Sequence, residues 1–154
     1  MLEEKDKKIL RELMKNGRIS FADLGRKCHM TRQSVFSRIK SLQHRGIIKN
    51  FTVNLDKKKL GLSIAAYILI SAEPLRAFKK EGMKELLNLP QIMEIHHIFG
   101  RYSYIMEVRA KDLDELTAIM KKIHEFPHVI RTETLIVYCT EKYYPQHPIE
   151  GILK

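Results

Sequence analysis

Apolar residues at helical spacing open the chain. Ile9, Leu10, Leu13 and Met14 form one stripe and predict a helix over residues 3–16. Asn16-Gly17 ends it, because glycine enters the left-handed conformation that closes helices. Ser20 followed by Asp23 resembles a capping box and predicts a second helix, with Ala22, Leu24 and Cys28 as its modest apolar face. After a turn at His29-Met30, Thr31 is placed to cap a third helix running to about Arg45 and stopping at Gly46. Met30 and Val35 have the spacing of a hydrophobic staple. Two short helices across a tight turn predict a helix-turn-helix. The β-prone runs Ile47-Ile48-Lys49 and Phe51-Thr52-Val53 predict a wing or a linker strand, and residues 56–61 read as a polar connector.

The pattern then changes. Residues 63–138 contain a repeat at an offset of 37, in which Tyr67-Ile68-Leu69 matches Tyr104-Ile105-Met106 and Leu89-Pro90 matches Phe126-Pro127. Each unit reads strand, helix, proline, strand: 63–72, 75–88 and 92–99, then 102–110, 112–125 and 129–139. Leu113, Leu116, Ile119, Met120 and Ile123 stripe the second of these helices, and Asp112, Asp114 and Glu115 crowd its first turn, where the helix dipole favours negative charge. Tandem strand-helix-strand units predict a ferredoxin-like βαββαβ domain with both helices on one face of a four-stranded antiparallel sheet. Both alternating sets of 64–70 contain large apolar side chains. The open face is therefore expected to pack on another copy, giving an oligomer. The expected fold class is α+β, with domain bounds 1–50 for the helix-turn-helix and 51–62 for a wing or linker strand. The ferredoxin-like domain takes 63–141 and a C-terminal tail 142–154.

Charge sharpens this division. The 154 residues carry a net charge of +10, and residues 1–60 hold 16 Lys and Arg against 6 Asp and Glu. The remainder is balanced, with 12 of each. A basic module fused to a neutral one points to a polyanion partner for the first. On the third helix Val35, Ile39 and Leu42 fall within a narrow arc and face the core. Gln33, Ser37, Lys40 and His44 occupy the opposite arc, flanked by Ser34, without an acidic residue. Such a face suits the major groove of double-stranded DNA. Gln33, Ser34 and Ser37 are expected near base edges, and Arg32, Arg38 and Lys40 on phosphates.

Other chemistries find no support in the residues. No catalytic set is expected, since neither a G-x-S-x-G elbow nor a phosphate-cradling glycine loop occurs. His96 and His97 alternate across a strand, and Cys28-His29 lack a second ligand pair, so neither a metal nor a cofactor is expected. The longest apolar run, Ile64 to Ile70, is far short of the roughly 20 residues a membrane helix needs. The opening residues have no signal-like apolar core, and two widely separated cysteines suit a reducing cytoplasm. A cytoplasmic protein with no membrane partner is the expectation.

The order of these pieces resembles the Lrp/AsnC (feast/famine) transcription regulators over nearly the whole chain. The residues that carry the likeness are Asp6-Lys7-Lys8-Ile9-Leu10, Asn16-Gly17-Arg18-Ile19-Ser20, Leu24 and Val35-x-x-Arg38-Ile39-x-x-Leu42-x-x-x-Gly46-Ile47-Ile48. Gly100-x-Tyr102, Glu107-Val108 and Thr132-x-Thr134-x-Ile136-Val137 extend it. The resemblance implies homodimers, often assembled as octamers (tetramers of dimers), that bind operator DNA. It also implies an amino-acid or other small effector held between dimers by the loop after the second strand. Here Gly100, Tyr102 and Ser103 supply that loop, with Thr132 and Thr134 as further contributors. Many relatives carry Asp where this chain has Ser103, and a neutral hydroxyl supplies no charge for an amino group. A ligand-independent architectural DNA binder and an enzyme on the ferredoxin-like domain are the alternatives.

Overall fold

The computed structural model describes residues 2–73 and 75–153. It divides into two compact units, Met1–Asn54 with Lys142–Lys154, and Leu55–Glu141.

The first unit contains α1 (Glu4–Lys15), α2 (Phe21–Cys28) and α3 (Arg32–His44). Ile9, Leu24, Cys28, Val35, Ile39 and Leu42 form its buried core, and Leu10, Leu13, Met30 and Ile48 pack against it. Ser20 caps α2 by accepting from the Asp23 N–H at 3.1 Å, and Thr31 caps α3 by accepting from the Ser34 N–H at 3.1 Å. These side chains satisfy amide groups that the helix itself leaves unpaired. A charged residue, Asp6, is buried there too, at 4% exposure. Its carboxylate accepts from Arg38 at 2.7 Å and lies 3.5 Å from Arg45.

Residues 51–62 form no strand, contrary to expectation. The Ile47 and Ile48 amides instead close the end of α3 by donating to the Leu42 carbonyl, at 2.9 and 3.1 Å. Beyond them Phe51 and Val53 are exposed. Residues 142–154 also differ from a plain tail. They fold with the first unit, form α7 (His147–Ile152), and bury Leu153 at 1% exposure. Tyr144 and Glu150 line a cleft of about 310 Å³ with Arg11, Met14 and Lys15 of α1.

The second unit is a four-stranded antiparallel sheet in the order β2-β3-β1-β4, where β1 is Ile64–Ala72, β2 Ile92–His97, β3 Tyr104–Ala110 and β4 Val129–Ile136. Ala66, Ile68 and Ile70 of β1 and Tyr104, Met106 and Val108 of β3 bury on the helix side, where they meet Phe78, Leu86, Leu116, Ile119 and Ile123. Those helical residues come from α4 (Leu75–Lys80), α5 (Gly82–Leu87) and α6 (Leu113–His124). Asp112 caps α6 by accepting from the Glu115 N–H at 2.8 Å. The opposite sheet face stays open, with Tyr67 and Leu135 exposed and Leu69 and Ile105 half-buried.

The first helix of the repeat is thus two helices, broken at Glu81. A Cβ at Gly82 would lie 2.7 Å from the Phe78 ring, so the ring packs over bare backbone there. Glycine at that point weakens the continuous helix expected over 75–88. The break also bears on the repeat. Leu86 and Ile123, which are 37 apart, are both buried, yet Tyr67 is exposed while its match Tyr104 is buried. The strands instead superpose in burial at an offset of 38, as Ala66 with Tyr104 and Ile68 with Met106. A one-residue slip turns a strand over, so the sequence repeat has the topology right and the faces of β1 and β3 reversed.

Candidate nucleic-acid interface and loop site

The turn between α2 and α3 is tightly built. His29 takes the left-handed conformation, with φ of 56°, and the Met30 N–H donates to the Gly25 carbonyl at 2.8 Å. Gly25 is buried, and a Cβ on it would fall 2.6 Å from the Met30 carbonyl oxygen. Only glycine therefore lets α2 and the turn approach this closely.

This turn fixes how α3 is presented. With Val35, Ile39 and Leu42 buried, Arg32, Gln33, Ser37, Lys40 and His44 are exposed. Ser34 is half-buried beside its cap, Thr31. No acidic residue occurs anywhere in α3, so its exposed face carries no negative charge. Thirteen residues span about 20 Å at the α-helical rise.

Arg38 does not join this face. Its guanidinium donates to Asp6 at 2.7 Å and pairs with Glu3 at 3.0 Å, and the Asp6 hydrogen bond raises its pKa further. It ties α3 to the start of α1 through these carboxylates, whereas the sequence placed it with the phosphate contacts. Sequence reading also passed over Phe36, which is 40% exposed on α3. Its ring lies 5.9 Å from that of Phe21, and the Lys40 ammonium stands 5.7 Å from its centroid.

In the second unit, Gly100 opens the β2–β3 turn at φ of 142°. Ser103 is held by its backbone, donating to Ile70 at 2.8 Å and accepting from Ile98 at 2.9 Å. Its Oγ lies 3.5 Å from the Ala72 amide nitrogen, which donates to it. The Tyr102 hydroxyl donates to the Glu133 carboxylate, and this bond holds the phenol above its usual pKa. Arg101 and Arg131 flank the same ring, 5.8 and 6.0 Å from its centroid.

The expected loop set therefore divides. In register, Thr132 stands opposite Ile70 and Thr134 opposite Ile68, both helix-facing residues, whereas Glu133 opposes Leu69 on the open face. Alternation along the strand places the two threonines behind the sheet from Tyr102 and its carboxylate. The Thr134 Oγ1 is buried with no hydrogen-bond partner among the described residues. Glu133, Arg101 and Arg131 are the residues found beside Tyr102. Among the described residues no group of three His, Cys, Asp or Glu side chains converges as a metal ion would require. Nor is any helix there long and apolar enough to cross a membrane.

Residues 2–49 match the winged helix-turn-helix DNA-binding family, and residues 65–146 match the Lrp/AsnC ligand binding domain. The chain is 34% identical over 152 residues to transcriptional regulator AzlB of Bacillus subtilis, spanning 97% of each protein. Its fold is similar to that of E. coli AsnC, with a TM-score of 0.87 at 24% identity over 94% of this chain and 97% of that one. It is also similar to a transcriptional regulator of Neisseria meningitidis solved in complex with L-Met, with a TM-score of 0.90 at 18% identity over 99% of both chains.

Proposed function

This chain belongs to the Lrp/AsnC family of transcriptional regulators, and from that premise we propose that α3 reads the major groove of double-stranded DNA. The acid-free outward face of α3 carries the reading. Gln33, Ser34 and Ser37 meet base edges, while Arg32 and Lys40 neutralise phosphates. A helix of this width enters the groove, and glutamine and serine match the donors and acceptors displayed there. The domain bounds follow the same logic: residues 1–50 read DNA, while residues 63–141 assemble and sense. No catalytic step belongs to this reading, and its setting is the cytoplasm.

The salt dependence of binding tests it. Log affinity should fall with log salt at about 0.9 per phosphate neutralised, and Lys40→Ala should lower that slope by about 1 while weakening all sequences alike. Gln33→Ala should relax preference at one base pair, at a cost of about 1–3 kcal/mol. A slope near zero for the full chain would reject the groove reading.

The open sheet face, with Tyr67, Leu69, Ile105 and Leu135, supports a homodimer that pairs two copies of α3, and an octamer is its larger form. We place an amino acid or similar small effector at the Gly100–Ser103 turn; the N. meningitidis regulator of similar fold was solved in complex with L-Met. Such a ligand shifts regulation only by favouring one arrangement of the assembly over another. Thermal melts against the common amino acids check this. A true effector at 100 times its Kd should stabilise by about 2.7 kcal/mol. No shift with any of them would favour the ligand-independent architectural binder.

A further inference from the structure

We infer that Phe36 reads thymine methyl groups in the major groove, beside the polar contacts of α3. The inference rests on α3 being the groove helix. Phe36 is no part of the buried core, whose apolar residues on α3 are Val35, Ile39 and Leu42. It lies three residues from Gln33 and four from Lys40, so it shares their side of the helix. At 40% exposure it is the one large apolar side chain that α3 leaves open to solvent.

Its surroundings hold the ring in place while part of it stays exposed. Phe21, the first residue of α2, props it at 5.9 Å with the planes tilted by 60°. This is a favourable aromatic geometry. Lys40 sits over the ring at 5.7 Å. The pair thus stands where the start of α2 meets the first turns of α3. In a helix-turn-helix the first turns of the recognition helix reach the bases, and the preceding helix crosses the backbone. A phenyl ring there meets the groove floor with a cation beside it. The groove offers one apolar group, the thymine C5 methyl. A fixed ring loses little freedom on binding, so the contact keeps its hydrophobic value.

The test uses the full chain and a duplex selected from random sequence for binding. Thymines are replaced by deoxyuridine one at a time, which removes the methyl and leaves the pairing edge intact. At one thymine or more per half-site, affinity should drop about four-fold, the weight of one buried methyl. Phe36→Ala should bind the parent duplex more weakly and lose that sensitivity, while Phe36→Leu should retain part of it. Uridine without effect at every thymine, with salt-dependent binding intact, would overturn the inference and leave the groove reading standing. Equal sensitivity in the parent and Phe36→Ala would also overturn it, by assigning the methyl to another group. Loss of salt-dependent binding altogether would reject both.

Discussion

Gly25→Ala is expected to cost the DNA-binding unit about 3 kcal/mol, at the upper end of overpacking effects. The new methyl would fall 2.6 Å from the Met30 carbonyl oxygen and 3.5 Å from the Arg32 nitrogen. Both belong to backbone, so no side chain can rotate away. The turn has to open, and opening it misplaces the Met30-to-Gly25 hydrogen bond and the start of α3. In a unit of this size each kcal/mol moves the midpoint by roughly 4–8 °C, so a loss on the order of 15 °C should appear in a thermal melt. DNA binding should fall with it at ordinary temperature. Gly17→Ala is the control, because its nearest neighbour is a carbonyl oxygen at 3.8 Å, ordinary contact distance. Matching melts for the two variants would contradict the close approach of α2 and the turn.

Asp6→Ala is expected to cost nearly as much, about 2–3 kcal/mol, by leaving the half-buried Arg38 cation short of its main partner. Asp6 is 4% exposed and receives Arg38 at 2.7 Å. Among the described residues Arg38 would keep Glu3, which is itself largely exposed. The figure is set below that of a fully buried pair because the Arg38 side chain retains 25% exposure, where water screens it. Arg38→Ala should destabilise the unit as well, while the salt slope of DNA binding stays near the parent value. Lys40→Ala should do the reverse. That crossover separates a cation that holds two helices together from one that holds DNA. A double variant, Asp6→Leu with Arg38→Met, should recover part of the loss, since apolar residues of similar size remove both charges at once.

The two classes of residue differ in how far the sequence reveals them. Element order, the caps at Ser20 and Thr31 and the acid-free face of α3 are all local patterns, and local patterns are legible. Arg38 is a different case, because its partners lie 32 and 35 positions earlier in the chain. A trace of them was present: Asp6 precedes Ile9 by three and Leu10 by four, and so lies on the apolar stripe of α1. A carboxylate on a core-facing stripe implies a cation from elsewhere. Thr132 and Thr134 show a further limit. Their spacing placed them on one face of β4, and only pairing with β1 decides which face that is. The 37-residue repeat misleads for the same reason, since strand orientation changes with a single inserted residue. Phe36 was visible as an apolar residue off the core arc, a pattern whose use depends on what the helix enters.

The return of residues 142–154 to the first unit has a consequence for synthesis. A chain leaving the ribosome makes α1, α2 and α3 first, then all of the sheet unit, and only afterwards Tyr144, Glu150 and Leu153. Domains generally fold as they emerge, at about 5–20 residues per second. The DNA reader therefore waits several seconds, with one flank of α1 bare, for a segment made only after the sheet unit. An interrupted message would yield a basic reader that lacks its closing segment, and the nascent chain would acquire its finished form only once both halves of the regulator exist.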